Sequence, residues 1–419
     1  MNQTQKRKDK LWTLNFLLLW QGQLVSLTGD VFYSFALGFW VLAFTGSTAL
    51  MGTLMAASAI PRVIISPIAG VIVDRYNRKH LLVWMDIVRG ISIVFIAIAS
   101  FNGFISIYLV FAAGIVLGIC GSFFSPAVNS VLPDIVPQSK LVNANSAIGI
   151  IQTGSNIVGS SIGGVIYHAF GASFMFLLDG LSYIFSGFIE LFLKIPRHEK
   201  PRESQHIIHD IKDGYIFVWR FRGLRYILIM LTVLNFVSYI AIVLFLPLFQ
   251  KTSSLGPLKY GIAMAFITGG GLLGVLFTTF VKVSPSKRLN IFISFTVISC
   301  LSFIIGSFVY IFPLMLVLLT IGGAGFTIVN VFINTTIQLT IPQHMRGKVF
   351  SLISMLTNGF TPLSMALGGV LGEFFPIRFI ICGCFVVILL TFLPFSLIKA
   401  FRRFVRFDPK TQTSEDLLD

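Results

Sequence analysis

Charge is what this chain has least of. Asp, Glu, Lys and Arg make up 11% of its 419 residues, against about 25% in a soluble domain. With 55% hydrophobic residues, that scarcity excludes an ordinary soluble core. Cysteine is scarce as well. Cys120, Cys300, Cys382 and Cys384 all fall in apolar stretches without metal-ligand spacing, so neither disulfides nor a metal site is expected. There is no GxxxxGK[ST] loop, so no nucleotide-driven motor is encoded, and neither a cofactor nor an obligate ATPase subunit is implied. No nucleophile or acid–base constellation suggests an enzyme. A cleavable signal peptide is not expected either, because the first apolar run is too long and lacks a small-residue cleavage site.

What is abundant is the long apolar run. A bilayer core needs about 20 apolar residues per helix, and inside it every backbone N–H and C=O must be paired within the segment. About twelve spans meet that criterion. The first six are Leu14–Phe44, Ala49–Val73, Leu81–Ser100, Ile105–Val128, Val142–Phe170 and Ser173–Leu193. The second six are Leu224–Phe249, Tyr260–Val281, Asn290–Phe308, Phe312–Leu339, Val349–Phe375 and Arg378–Ile398. The expected fold is all-α and membrane-embedded. Six-helix bundles over 1–193 and 224–399 flank a linker at 194–223, and a tail follows at 400–419. In the linker, Ile208, Ile211, Tyr215, Val218 and Trp219 recur at helical spacing beside Lys212, Arg220 and Arg222. That pattern predicts an amphipathic helix lying on the membrane surface.

The net charge of +15 could suggest nucleic acid, but its placement points to the bilayer. All but five of the 31 Lys and Arg fall in segments on one side of the predicted spans. The positive-inside rule then puts both termini in the cytoplasm. No nucleic-acid partner is expected.

Two stretches carry local signatures. Gly70-Val-Ile-Val-Asp74-Arg75-Tyr-Asn77-Arg78-Lys79 follows the second span. It resembles the G-x-x-x-D-R-x-G-R-[RK] loop of the major facilitator superfamily, with Asn77 at the last glycine. Asn tolerates a left-handed backbone, so the turn is expected to survive, with Asp74 as a latch and Arg78 and Lys79 available to lipid phosphates. In the fifth span, Ser155, Gly159, Gly163 and Gly164 resemble the G-x-x-x-G-P-x-x-G-G motif associated with antiporters in that superfamily. Ser155 and Ser160 are departures from it. Small residues four apart also serve plain helix packing.

Further stretches, among them Phe123-Phe-Ser-Pro126-Ala127, Leu132-Pro133 and Gln338-Leu-Thr-Ile-Pro342-Gln-His-Met-Arg346-Gly347, look like the bacterial macrolide-efflux and enterobactin-exporter branch. One departure matters. Many drug antiporters carry an Arg in the fourth span, and no basic residue occurs here between Phe104 and Lys140.

Ionisable residues inside spans are the candidate sites, because a carboxylate at the helix centre costs about 2.5–3.5 kcal/mol on insertion scales. Asp30 lies near the middle of the first span, with Ser26 and Ser34 a turn away on the same face, and Arg62 lies at compatible depth in the second. An Asp30–Arg62 pair is expected to couple protons. Asp86 and Arg89 read as a local pair, Asp179 as structural, and Glu190 as a boundary residue. The resemblance implies that the first, fourth, seventh and tenth spans line a cavity. Gln23, Ser26, Phe123, Phe124, Asn235, Tyr239, Asn330 and Asn334 are the candidate substrate contacts.

The function this implies is a bacterial secondary exporter in the cytoplasmic membrane. It would move small amphipathic, macrolide-like drugs or metabolites by proton antiport with alternating access. A siderophore or metabolite exporter on the same scaffold is the alternative, and a non-transporting receptor or scaffold is more remote.

Overall fold

The computed structural model describes residues 10–195, 207–281 and 283–407. Among them every regular element is helical. The first four helices are α1 (Leu14–Thr45), α2 (Thr48–Arg75), α3 (Arg78–Phe101) and α4 (Ile107–Ile135). Next come α5 (Leu141–Glu190), α6 (Ile207–Arg220), α7 (Arg222–Lys251), α8 (Gly256–Phe280), α9 (Pro285–Phe308) and α10 (Phe312–Thr340). The last four are α11 (Gln343–Gly359), α12 (Thr361–Phe374), α13 (Ile377–Leu397) and α14 (Lys399–Val405). Eleven helical segments of the described chain are long and apolar enough to cross a membrane. One of them, α5, is two spans in one: Gly171, at φ 74° and ψ −175°, breaks it into limbs 141–170 and 172–190. Only glycine takes that conformation cheaply, so two crossings are joined without a loop. Twelve crossings result, as the apolar runs predict.

Side chains set the helix starts. Thr13, Ser47 and Ser106 each accept a bond from a backbone N–H of the first turn that follows, satisfying donors that a helix terminus leaves unpaired. Asn77 does the same for Lys79 and His80, at φ −68° and ψ 108°. This corrects one expectation. Asn77 does not replace a left-handed glycine; it caps α3 from an extended backbone.

Several boundaries differ from the hydropathy reading. The fourth span runs on to Ile135 with Pro126 and Pro133 inside it. Val131, Leu132 and Ile135 bury there against Phe16, Leu19 and Leu82, and that packing outweighs the missing proline N–H. The eleventh span is two helices that meet at Phe360, with Pro362 in the first turn of the second. The chain beyond the last span is not all tail. In α14, Phe401 and Phe404 are buried, and Phe401 lies 6.0 Å from Phe292 and 6.5 Å from Phe392.

The chain divides into two compact units, Met1–Ser204 with Phe249–Ile262, and Gln205–Leu248 with Ala263–Asp419. In the first, α1 packs on both limbs of α5, α2 packs on α4, and α3 packs on α4 and α5. In the second, α9 packs on α10 and α13, and α6 on α11. Phe303 stacks on Phe385 at 4.7 Å there, and Lys348 of α11 pairs with Asp213 of α6 at 2.6 Å. Tyr215 and Trp219 of α6 stack at 5.0 Å and stay exposed, while Val218 is buried. The side chains of Ile208 and Ile211 lie outside the described ones.

The α3–α5 contact is a close backbone approach that the site needs. A Cβ on Gly180 would sit 2.7 Å from the backbone nitrogen of Val94 and 3.1 Å from the Gly90 carbonyl oxygen. Gly180→Val is therefore expected to cost about 1–3 kcal/mol or more, read as a lowered melting temperature of the purified protein in detergent. Gly149→Val, at a position with open space around it, is expected to melt with the parent; equal melting of both variants would contradict the packing.

Candidate functional site

On the second limb of α5, Asp179, Tyr183, Ser186 and Glu190 stand three or four residues apart, and so form one stripe of the helix. That stripe faces α3 and α1. A Cβ on Gly187 would meet Asp86 Cβ at 3.3 Å, and one on Gly22 would meet Ser186 Oγ at 2.9 Å. One on Gly29 would overlap Ser182 Oγ and lie 2.6 Å from Asp179 Oδ1. The small residues thus let three helices close on a polar seam.

Arg89 is the cation of this seam. Its guanidinium donates to Asp86 Oδ1, and its Nε donates to the Met85 carbonyl at 3.3 Å. Cζ lies 4.2 Å from the ring centroid of Phe124 and 4.4 Å from that of Tyr183. Aromatic faces attract a desolvated cation by about 2 kcal/mol, so Arg89 is held by one charge and two rings. The Tyr183 hydroxyl in turn donates to Asp30 Oδ1. Asp30 of α1 is thus linked to Arg89 of α3 through a tyrosine of α5.

The anions outnumber that cation. Asp86, Asp179 and Glu190 have no solvent exposure, and Asp30 is partly buried. Within the described residues, neither oxygen of Asp179 and neither oxygen of Glu190 has a hydrogen-bonding protein group. The Tyr33 hydroxyl is in the same position, and the buried Ser186 hydroxyl neighbours the Asp86 carboxyl. Tyr33 lies beside Phe176, 5.9 Å between ring centroids, one turn before Asp179.

The expected site residues are placed as follows. Among the described residues no ion pair joins Asp30 to Arg62. The exposed Arg62 lies along α4, where a Cβ on Gly121 would be 2.7 Å from Nη2. The pair read as merely local, Asp86–Arg89, sits inside the seam. Glu190, read as a boundary residue, is fully buried. Gln23 and Ser26 are buried on α1, with Ser26 Oγ donating to the Gln23 carbonyl at 3.4 Å. Phe124 is the Arg89 platform, and Phe123 beside it is partly buried. In the second unit, Asn235 and Asn334 donate their amides to their own helices, at Leu231 O (2.9 Å) and Asn330 O (3.0 Å). Tyr239 and Asn330 are partly buried.

In the loop signature, Arg78 donates to Asp134 Oδ2 at 2.5 Å and to the Ser130 carbonyl at 3.2 Å, so it ties the start of α3 to the end of α4. Arg75 is exposed, Lys79 is partly buried, and Gly70 has open space around it. The Asp74 side chain lies outside the described ones. In α5, Ser155 Oγ accepts from Thr28 at 3.1 Å. Cβ atoms on Gly159 and Gly163 would meet Val31 at 3.0 Å and Phe35 at 3.5 Å. One on Gly164 would meet the carbonyls of Pro257 and Leu258, both at 3.0 Å. This motif packs α1 and the 249–262 segment.

Residues 19–361 match the profile of the Major Facilitator Superfamily. The chain is 27% identical over 350 residues to the uncharacterized MFS-type transporter YfiS of Bacillus subtilis, covering 81% of this chain and 82% of that one. It is 24% identical to macrolide efflux protein A of Streptococcus pyogenes, covering 88% and 90%. It is 26% identical to the multidrug efflux pump Tap of Mycobacterium tuberculosis, covering 85% and 87%. Among solved structures, the nucleoside transporter NupG superposes with a TM-score of 0.72 at 16% identity, over 92% of this chain and 99% of that one. A bacterial homologue of the iron transporter ferroportin, inward-facing, gives 0.69 at 17%, over 91% and 98%. At such identities the structures speak to the fold alone.

Tyr183→Phe keeps the ring over Arg89 and removes the hydroxyl that Asp30 uses. It is expected to destabilise the purified protein by about 1–3 kcal/mol, seen as a lower melting temperature. In an Asp30→Asn background the same change is expected to cost less, because the acceptor is no longer a carboxylate. Equal cost in both backgrounds would contradict the Tyr183–Asp30 link.

Proposed function

The chain belongs to the Major Facilitator Superfamily, and from that premise we propose that it exports bulky amphipathic solutes in exchange for protons moving inward. It is a multi-pass membrane transporter and not an enzyme. The exporter reading draws on two of its relatives, a macrolide efflux protein and a multidrug efflux pump. The antiport reading draws on one observation: the partly buried Asp30, joined through Tyr183 to Arg89 in a seam with more carboxyl groups than cations. An ionisable group at membrane depth is a functional candidate by default. Binding and release of a proton there changes what Arg89 must balance, so it biases any motion of α1 against α3 and α5.

In this reading Asp30 binds the coupling proton, and Arg89, linked to it through Tyr183, is its main balancing charge in place of Arg62. Gln23, Ser26, Phe123, Asn235, Tyr239, Asn330 and Asn334 are polar or aromatic handles for the solute. The loop from Gly70 to Lys79, with Asp74, Arg75 and the Arg78–Asp134 tie, latches the conformational change. Both termini face the cytoplasm of a bacterial cell, where the basic loops cluster.

The test is accumulation of a labelled macrolide in inside-out membrane vesicles, with and without an acidic lumen. The parent is expected to accumulate it only with the gradient. Asp30→Asn is expected to fall to the level seen without one. Parent uptake that ignores the gradient contradicts antiport, and a normal Asp30→Asn removes Asp30 from the proton step.

A further inference from the structure

We propose that the seam between α1, α3 and the second limb of α5 is a proton path inside the first unit, with Asp179 and Glu190 as its two end stations. The inference deepens the antiport reading and rests on it for direction only.

The first support is charge balance. Three fully buried carboxyl groups, those of Asp86, Asp179 and Glu190, lie near one buried guanidinium, that of Arg89, which contacts Asp86 alone, while the partly buried Asp30 also feels Arg62. A dry helix seam does not hold several uncompensated negative charges. Part of that charge is therefore neutralised by bound protons. The second support is the distribution of partners. Asp30 accepts from Tyr183, and Asp86 is paired with Arg89. Among the described residues, Asp179 and Glu190 have no hydrogen-bonding protein group on any oxygen, at zero exposure. They are the members of the set that no described side chain or backbone group satisfies.

The third support is the pair of polar atoms beside these two carboxyls. Ser186 Oγ is fully buried beside the Asp86 carboxyl and turned to α1 at Gly22, one helical turn from Glu190. The Tyr33 hydroxyl is buried and unpartnered next to Asp179. A serine or tyrosine hydroxyl can donate one proton and accept another, which is what a relay between carboxyls needs.

The groups facing each station are few. Asp179 faces Asp30 and Tyr33 on α1, and Asp86 and Arg89 on α3. Glu190 faces Asp86 and Arg89. Arg89 stands between the stations and repels an unaccompanied proton, so transfer past it proceeds carboxyl to carboxyl. Asp179 and Glu190 are eleven residues apart on one helix, roughly 16 Å at 1.5 Å per residue. That is about half of a hydrocarbon core of roughly 30 Å. The Glu190 end is also the end where the chain enters, since Asn15 and Lys194 exchange bonds of 2.9 and 3.2 Å. In each cycle one proton binds at the Asp179 end and one leaves from Glu190, so the seam regains its starting charge. Because the path runs between helices of one unit, proton and solute need not occupy the same place.

The deciding measurement is infrared absorption of protonated carboxyl groups in the purified, full-length protein at neutral pH, identified by its shift in heavy water. The parent is expected to show the signal. Asp179→Asn and Glu190→Gln are each expected to remove part of it, and Glu190→Asp to retain it. Asp213→Asn, whose carboxylate pairs with Lys348 outside the seam, is expected to leave it unchanged. Melting curves verify that each variant is folded, and the two stations provide independent variants should one fail. A parent without the signal, or both station variants with the parent's full signal, overturns the path. This readout needs no transported solute. Macrolide uptake that ignores the pH gradient defeats the antiport reading, whereas an unchanged carboxyl signal defeats the path.

Discussion

A guanidinium buried between helices must be matched by an anion, and Arg89 is matched by Asp86 one turn earlier on its own helix. Breaking such a pair costs about 3–5 kcal/mol, because the partner is left charged and dry. The rest of the first unit is arranged around that constraint. Phe124 of α4 and Tyr183 of α5 offer ring faces to the cation, and Tyr183 passes the polarity on to Asp30 of α1. Four helices therefore converge on one side chain. A change in the charge of any neighbouring carboxyl changes the field that Arg89 balances, and so bears on the helices that hold it.

Such a seam is possible only because the helices approach closely without side chains between them. Gly90 against Gly180, and Gly29 against Asp179 and Ser182, provide that approach. In lipid the association of helices is driven by packing more than by hydrophobic burial, so the same glycines that stabilise the unit also position the acids. The kink at Gly171 serves the arrangement as well: it turns one long helix into two limbs, both packed on α1. One limb carries the small-residue motif and the other carries the acids.

Much of this was legible in the residue pattern, and the limits have physical causes. Twelve crossings follow from the length of the apolar runs, which the bilayer dictates. The choice of Asp30 as a site follows from the cost of a charge at membrane depth. Its partner does not follow, because depth along a helix says nothing about rotation around it. Arg62 and Asp30 match in depth, yet the donor to Asp30 is Tyr183, 153 residues away. Closeness to a helix end makes Glu190 read as a boundary residue, although its spacing from Asp179, Tyr183 and Ser186 marks a single stripe. That periodicity was the available signal. Asn77 shows the reverse error: a family glycine suggested a left-handed turn, while Asn before a helix already reads as a cap. The apolar run ends the fourth span at Val128, and packing of Val131, Leu132 and Ile135 against Phe16 and Leu82 explains why α4 continues.

The charge balance of the seam depends on the pair of Arg89 and Asp86. A thermal-stability cycle of Arg89→Met, Asp86→Leu and the double variant, in detergent at constant pH, tests it most directly. Arg89→Met alone is expected to lose about 3–5 kcal/mol, and the double variant to recover a large part of that loss. If the double variant is as unstable as the sum of the two single changes, the pair is not coupled and the account is contradicted.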